Sequence, residues 1–308
     1  MIALVTTSLA FLAVDLETGE AVPIHTKKGL YFGISYSDDM IFVAARNNRN
    51  PFNYLDTQDL EYASGSILVF NYNLDLVGEI TIPTLTTVVT LRDLHQLMFF
   101  DGELWAICAL DNVICRYDSQ KWDYWFPSPN KKHRWKDIHH FNSLWLDFDF
   151  KSLYVLAHKR SLSEIWKFSY PELNLQETYK LGEHGHSIWK LNHDIYTCDS
   201  KGESVVSLKG FKLHVGDFTR GVAISDKFFV IGSSDIAERN KRQLSSGKIN
   251  VYNTEWVKLR TFKVEKLGQV NDIRVPGYYD VCHHWLKGEI PNFNRESKHK
   301  IQLEIGED

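Results

Sequence analysis

The chain has 308 residues, 44% hydrophobic and 13% aromatic, with nine Trp, fourteen Tyr and eighteen Phe, which excludes a disordered protein and supplies material for a large core. A formal charge of -4 excludes the basic field that holds phosphate backbones, so nucleic acid is not an expected partner. Cys108, Cys115, Cys198 and Cys282 show no CxxC spacing, which excludes a disulfide framework or zinc knuckle and fits reduced thiols in a cytoplasmic protein.

The opening MIALVTTSLAFLAVDLETGE is apolar, but it lacks a basic start and runs into an acidic turn, so it reads as two strands rather than a signal peptide. No window holds the roughly 18 apolar residues of a membrane span, and membrane association is not expected. From Gly29, GLYFGISYSDDMIFVAARNN gives the first copy of a unit that recurs along the chain: an inner strand, a tight turn and a second apolar strand. Arg46 to Ser64 departs from it as a long Asn-rich and acidic loop. A second copy, DLHQLMFFDGELWAICALDNVICRYD, begins at Asp93. Lys121 to Trp135 is then expected to be a surface loop. Its Trp122, Tyr124, Trp125 and Trp135, interleaved with Lys131, Lys132 and Arg134, suit packing onto the blade more than stacking a ligand.

The third copy, DIHHFNSLWLDFDFKSLYVLAHKRSLSEIWKFS, begins at Asp137 and has a longer turn at Asp147 to Lys151. HGHSIWKLNHDIYTCDSKGESVVSL follows from His184, and FTRGVAISDKFFVIGSS from Phe218. Ser234 to Ser246 is a charged loop, and GQVNDIRV at Gly268 opens a sixth copy with too little chain to finish it. The spacing from His95 to Leu104 is the same as from His186 to Ile195 and from Arg220 to Phe229.

Six starts predict an all-β fold, a β-propeller of six blades, with the last inner strand pairing with the N-terminal strands to close the ring and remove exposed edges. Alternating, β-branched and aromatic-rich strands with turns at DG, DD, SDK and NHD agree with this. Residues 1–285 then form one domain, and 286–308 a polar C-terminal tail or latch.

Inner strands of a propeller begin near one mouth of the central channel, so equivalent repeat positions converge. The predicted set is Phe32, His95, His140 (or its neighbour His139), His186, Arg220 and Asn271. Parity with Asn142 favours His140. Three neutral imidazoles match the ligand needs of a catalytic Zn²⁺ with a fourth position for water, and Fe, Cu or Mn can use the same trio. His95, His140 and His186 are therefore the candidate metal ligands, with Asp93, Asp137 and Glu183 as candidate acceptors that orient them. Arg220 and Asn271 are the candidate catalytic groups, and Phe32, Arg220 and Trp189 the candidate substrate contacts, Arg220 holding an anionic or carbonyl group. His283 and His284 read as surface residues, and His25, His133, His158, His193, His214 and His299 fit no repeat position. The GxSxG, GxxxxGK, HExxH and GxGxxG motifs are missing, which leaves serine hydrolase, nucleotidase and dinucleotide readings without their usual parts.

HFNSL at His140, HSIW at His186, FTRGVA at Phe218 and GQVNDIRV at Gly268 resemble the HxNGL, PHSP, FTRGLA and GxxYDV motifs of an uncharacterised bacterial family of predicted propellers. The resemblance covers roughly the second half of the chain, with DLHQL weaker. Ser143 stands for the family's Gly, the prolines beside His186 are missing, and Asn271 replaces Tyr. It implies a propeller with His140, His186 and Arg220 at matching positions, and no activity to transfer. In constellation only, axial His and Arg in a six-bladed ring are similar to peptidyl-α-hydroxyglycine amidating lyase, which implies a His-bound zinc.

The expected function is a metal-dependent lyase or hydrolase acting on a small polar metabolite in the axial pocket. The alternatives are a non-catalytic propeller binding a small molecule, sugar or protein partner, and a scaffold that uses its rim loops.

Overall fold

A computed structural model describes residues 1–26, 28–47, 64–81, 92–147, 149–159, 161–225 and 227–275. The expected tail, Cys282, His283, His284, His299 and most of the Arg46 to Ser64 loop lie outside these residues. In chain order, β1 (Ile2–Thr7), β2 (Phe11–Asp15) and β3 (Ala21–His25) begin the ring. The next blades are β4 (Gly29–Tyr36), β5 (Met40–Asn47), β6 (Gly65–Asn71) and β7 (Leu76–Thr81), then β8 (Leu94–Phe100), β9 (Glu103–Cys108), β10 (Val113–Tyr117) and β11 (Trp122–Trp125). They are followed by β12 (Phe141–Asp147), β13 (Ser152–Ala157), β14 (Leu162–Ser169) and β15 (Leu175–Glu183), and by β16 (Gly185–Leu191), β17 (Asp194–Asp199), β18 (Ser204–Ser207) and β19 (Lys212–His214). Last come β20 (Val222–Ile224), β21 (Phe228–Ser234), β22 (Gly247–Asn253) and β23 (Lys258–Val264), before β24 (Val270–Arg274).

These make six antiparallel four-stranded sheets, a six-bladed β-propeller. β24 is the innermost strand of the sheet that β1 to β3 began, with Leu4 opposite Arg274, Val5 opposite Ile273 and Thr6 opposite Asp272. The ring thus closes on strands from the two ends of the chain, as the repeat predicts.

Why these segments are strands is plain from their residues. FNSLWLD of β12 and SLYVLA of β13 are buried along their whole length, because both faces of an inner strand meet neighbouring blades. The outermost strands, such as LQETYKLGE of β15, are largely exposed and carry the charges that blunt an edge. Between blades sit clusters such as Leu156, Ile165, Ile188, Trp189, Val205 and Ile231. Burying each such side chain contributes about 1.5–3 kcal/mol.

A feature of the inner strands positions the site. In five of the six sheets the pairing of the innermost strand shifts register at the same level: between Tyr31 and Ile34, Leu94 and Leu97, Phe141 and Ser143, His186 and Ile188, and in the β24–β1 pair at Asp272 and Val270. A bulge puts an extra residue into one strand and re-aims the side chains beside it. The following blade supplies N–H groups that the belt side chains accept. Leu144 N–H donates to Gln96 Oε1 (2.7 Å), Ser187 N–H to Ser143 Oγ (2.9 Å), Gly221 N–H to Ser187 Oγ (3.3 Å) and Ile34 N–H to Asp272 Oδ2 (2.9 Å). Gly33, Gln96, Ser143, Ser187, Gly221 and Asp272 therefore form one belt around the channel. At Gly33 no side chain fits: a Cβ there would stand 2.6 Å from His95 O, Gln96 Cα and Leu97 N.

Candidate functional site

A cavity of about 490 Å³ runs along the axis, within the size range of small-molecule sites. Phe32, His95, Asn142, His186, Arg220 and Asn271 line it, each one residue before its belt position. Further along the inner strands it is walled by Trp145, Ile188, Trp189 and Val222, with Arg274 and Lys227.

The belt fixes the register and corrects one expectation. His95 and His186 each stand two residues before a buried aliphatic belt neighbour, Leu97 and Ile188, whereas His140 stands four before its counterpart Leu144. Asn142 therefore occupies the axial position in that blade, and His140 lies two residues upstream. There it is level with Asp93 and His184, all three in left-handed backbone at φ 51, 57 and 52°. Asn142 donates to Gly185 O (2.8 Å), tying two blades together.

From this upstream tier His140 comes close to His95 of the preceding blade. One ligand atom from each of Asp93, His95 and His140 lies within 4.8 Å of the other two. His186 is outside that group but joined to it by a row of rings: His95 to His140 at 5.4 Å, His140 to His158 at 5.4 Å and His158 to His186 at 5.0 Å between centroids. His158, from the end of β13, was missed by repeat reasoning because it belongs to a second strand and not to a strand start.

The groups around these rings are specific. Asp93 Oδ1 meets Arg46 Nη1 at 3.4 Å and its Oδ2 lies 3.5 Å from His95 Nε2. Arg220 Nη2 is 3.1 Å from His95 Nδ1, and its guanidinium lies over the Phe32 ring at 5.6 Å. Asp137 Oδ1 is 2.9 Å from His140 Nδ1, the orienting role expected of it. Glu183 takes no such role: it pairs with Lys201, and His186 Nδ1 meets Ser200 Oγ instead, at 2.8 Å. His139 N–H donates to Asn112 Oδ1, and its ring packs on Phe141 and Trp166, away from the channel. Asn271 lines the cavity, yet its amide nitrogen donates to Tyr31 O (2.6 Å) as a link between blades. Trp189 is 1% exposed and stacks on Tyr196.

Burial sets the charge state of the rings. It pushes His95 down to about 4 against the upward pull of Asp93, with Arg220 adding to the fall. Burial and then His140 and His184 push His158 down to about 2, and burial and Arg220 hold His186 well below its ordinary value. Burial works to raise Asp93, but His95 and Arg46 hold its carboxyl well below the usual carboxylate range. At neutral pH His95, His158 and His186 are thus neutral imidazoles beside a carboxylate and buried guanidinium groups, and neutral imidazole with carboxylate is a donor set from which transition-metal sites are made.

No family model and no curated protein matches the chain. Among solved structures it is similar to a chain of a nidogen/laminin complex, with 11% identity and a TM-score of 0.62 over 89% of this chain and 97% of that one. It is also similar to a luciferin-regenerating enzyme, with 10% identity and a TM-score of 0.53 over 87% of each chain. An auxiliary nutrient binding protein from Bacteroides thetaiotaomicron matches at 11% identity and 0.52 over 80% of this chain and 64% of that one. These neighbours are propellers, and identity this low shows the fold alone. No helix among the described residues is long and apolar enough to cross a membrane.

Proposed function

We propose that the chain is a metal-dependent enzyme of lyase or hydrolase type, acting on a small polar metabolite at the axial mouth. The observation that carries this reading is the convergence of Asp93, His95 and His140 within 4.8 Å, His95 lining the cavity together with His186 and Arg220. Nitrogen and carboxylate donors suit Zn²⁺ first, and Fe²⁺, Cu²⁺ or Mn²⁺ after it. A bound ion there would supply a water of lowered pKa or polarise a substrate oxygen. Arg220 would hold an anionic or carbonyl group of the substrate beside it, with Phe32 and Trp189 walling the apolar part. Cys108, Cys115 and Cys198 are buried free thiols, which fits a reducing compartment such as the cytoplasm.

One observation favours a non-catalytic binding propeller as the second reading: the Arg220 contact at 3.1 Å takes the His95 Nδ1 lone pair, which leaves the ring proton on Nε2, the nitrogen that faces Asp93. Elemental analysis of protein purified without a His tag decides between them, beside a folded His95→Ala/His140→Ala/His186→Ala triple variant. Near-stoichiometric Zn, Fe, Cu or Mn that is lost in the variant supports the enzyme. Metal in neither, even after supplementation, refutes it and turns the search to ligands.

A further inference from the structure

We propose that the axial cavity takes an amphipathic monocarboxylate, a single anionic head on an apolar chain, with the head on Arg220 and the chain along β16 and β20. This ligand class rests on the reading above, in which Arg220 meets the substrate, and narrows it.

The sign of the ligand follows from the lining. Among the described residues that line the cavity, Lys190, Arg220, Lys227 and Arg274 are cationic and Asp272 is the one carboxylate, in a chain whose formal charge is -4. An anion is therefore favoured there and a cation opposed. Arg274 lies on Asp272 at 2.6 Å and Lys190 on Asp147, and Lys227 is exposed, where water and salt screen it. Arg220 is buried. A guanidinium has five N–H groups; His95 Nδ1 takes one of them at 3.1 Å, and the Phe32 ring lies 5.6 Å away, so Arg220 is oriented before a ligand arrives. A planar carboxylate matches such a fork with two parallel hydrogen bonds and a single charge. A phosphate monoester brings close to two charges, more than one guanidinium offsets.

The body of the ligand follows from what the belt already uses. Asn142 and Asn271 donate to backbone carbonyls, and Gln96, Ser143 and Ser187 accept from backbone N–H groups, all across blade boundaries. A sugar needs polar partners for each of its hydroxyls, and these side chains are engaged in holding the ring together. Beyond the belt the wall includes Trp145, Ile188, Leu191, Val222 and Ile224. β16 lines the cavity with every residue from His186 on, and the lining continues to Asn192, about 20 Å of extended chain. An apolar chain suits that length and that wall, leaving its charged end to Arg220.

Binding of octanoate, octanamide, octyl phosphate and the shorter acids down to butanoate is measured by isothermal titration calorimetry at neutral pH, on protein stripped of metal with a chelator. Stripping lets the two readings fail separately, since elemental analysis tests the metal and these titrations test the anion site. Octanoate is expected to bind at one site, at least about tenfold tighter than octanamide or octyl phosphate. From butanoate to octanoate, affinity should rise about fourfold per methylene. In Arg220→Met the octanoate-to-octanamide ratio should fall to about one, whereas Arg220→Lys, which keeps the charge and loses the fork, retains part of it. The ratio compares two ligands on the same protein, so a general weakening of the fold does not imitate its loss. Lys227→Ala is expected to leave the ratio within about twofold of the parent's. Equal binding of octanoate and octanamide by the parent, a flat chain-length series, or tighter octyl phosphate overturns the proposal. So does a ratio that is kept in Arg220→Met or lost in Lys227→Ala. Octanoate that binds only after Zn²⁺ is restored puts the head on a metal and not on Arg220, which overturns the proposal while the metal reading stands.

Discussion

Gly33→Ala is the substitution that tests the belt most directly. The added Cβ would lie 2.6 Å from three backbone atoms of the neighbouring blade, His95 O, Gln96 Cα and Leu97 N. Non-bonded carbons rest about 3.5–4.0 Å apart, so β4 and β8 must part locally by roughly 1 Å. Overpacking costs about 1–3 kcal/mol when side-chain ends can yield, and here backbone on a close-packed wall must move instead. We expect a loss of at least about 3 kcal/mol, which for a domain of this size lowers Tm by roughly 6–12 °C at about 2–4 °C per kcal/mol. The control is Gly78→Ala in β7, where the nearest atom to a Cβ would be Val69 Cβ at 3.9 Å; there the change should stay within about 1 kcal/mol, in the stabilising direction. Thermal and urea unfolding of both, followed by tryptophan fluorescence, gives the answer. A Gly33→Ala protein within 1 kcal/mol of the parent, or an equal loss in Gly78→Ala, would refute the idea that the blades meet backbone to backbone at this point.

Other tests follow from the same geometry. Burial first, with neighbouring charges, lowers His95 and His139 to about 4, His158 to about 2, and His186 well below its usual value. Unfolded, all would take up protons near pH 6.5, so below that pH the unfolded chain binds more protons than the folded one. Stability is intact above pH 6.5 and falls as pH drops toward 4, by about 1.4 kcal/mol per pH unit for each such ring. Urea midpoints of metal-free protein at pH 7.5, 6 and 5 should decline in that order, and a flat profile would contradict neutral buried rings. Asp272→Ala removes the carboxylate that Arg274 Nη1 meets at 2.6 Å, leaving the guanidinium only carbonyl acceptors such as Val222 O and Ile273 O among those described, and strips Ile34 N–H of its acceptor. A loss of about 3–5 kcal/mol in urea unfolding is expected, and one under 1 kcal/mol would show that the pair is not needed. Ser143→Ala removes the acceptor of Ser187 N–H and should cost about 1–3 kcal/mol by the same assay.

The ring was legible because its unit repeats. Equal spacing from His95, His186 and Arg220 to the next strand gave their convergence, and incomplete copies at the two ends gave the closure. What failed was placing the one copy whose longer turn breaks the equal spacing. Two more residues separate His140 from Leu144 than separate His95 from Leu97, so aligning histidine on histidine put His140 where Asn142 stands. His158 escaped because it ends a second strand, and repeat logic asks only about strand starts. Arg46 and Asp93 meet across 47 positions of sequence, and nothing in either segment marks the other as its partner. Glu183 has the right residue type and offset to serve His186, but its carboxylate lies on Lys201. Side-chain direction, unlike strand count, is decided by neighbours that a linear reading does not see.

The closure also governs the order in which the molecule can be completed. Of the ring's described strands β1 is made first, yet the strand that covers its inner edge, β24, begins only at Val270. Throughout most of synthesis the nascent chain therefore carries an open sheet with an unpaired edge, beside blades whose own partners have not yet been made. Belt bonds between neighbouring blades can form as each is added, but the one from Ile34 to Asp272 must wait for β24. Until that moment the protein is an arc with two sticky ends, and its chief hazard is meeting another arc before it meets itself.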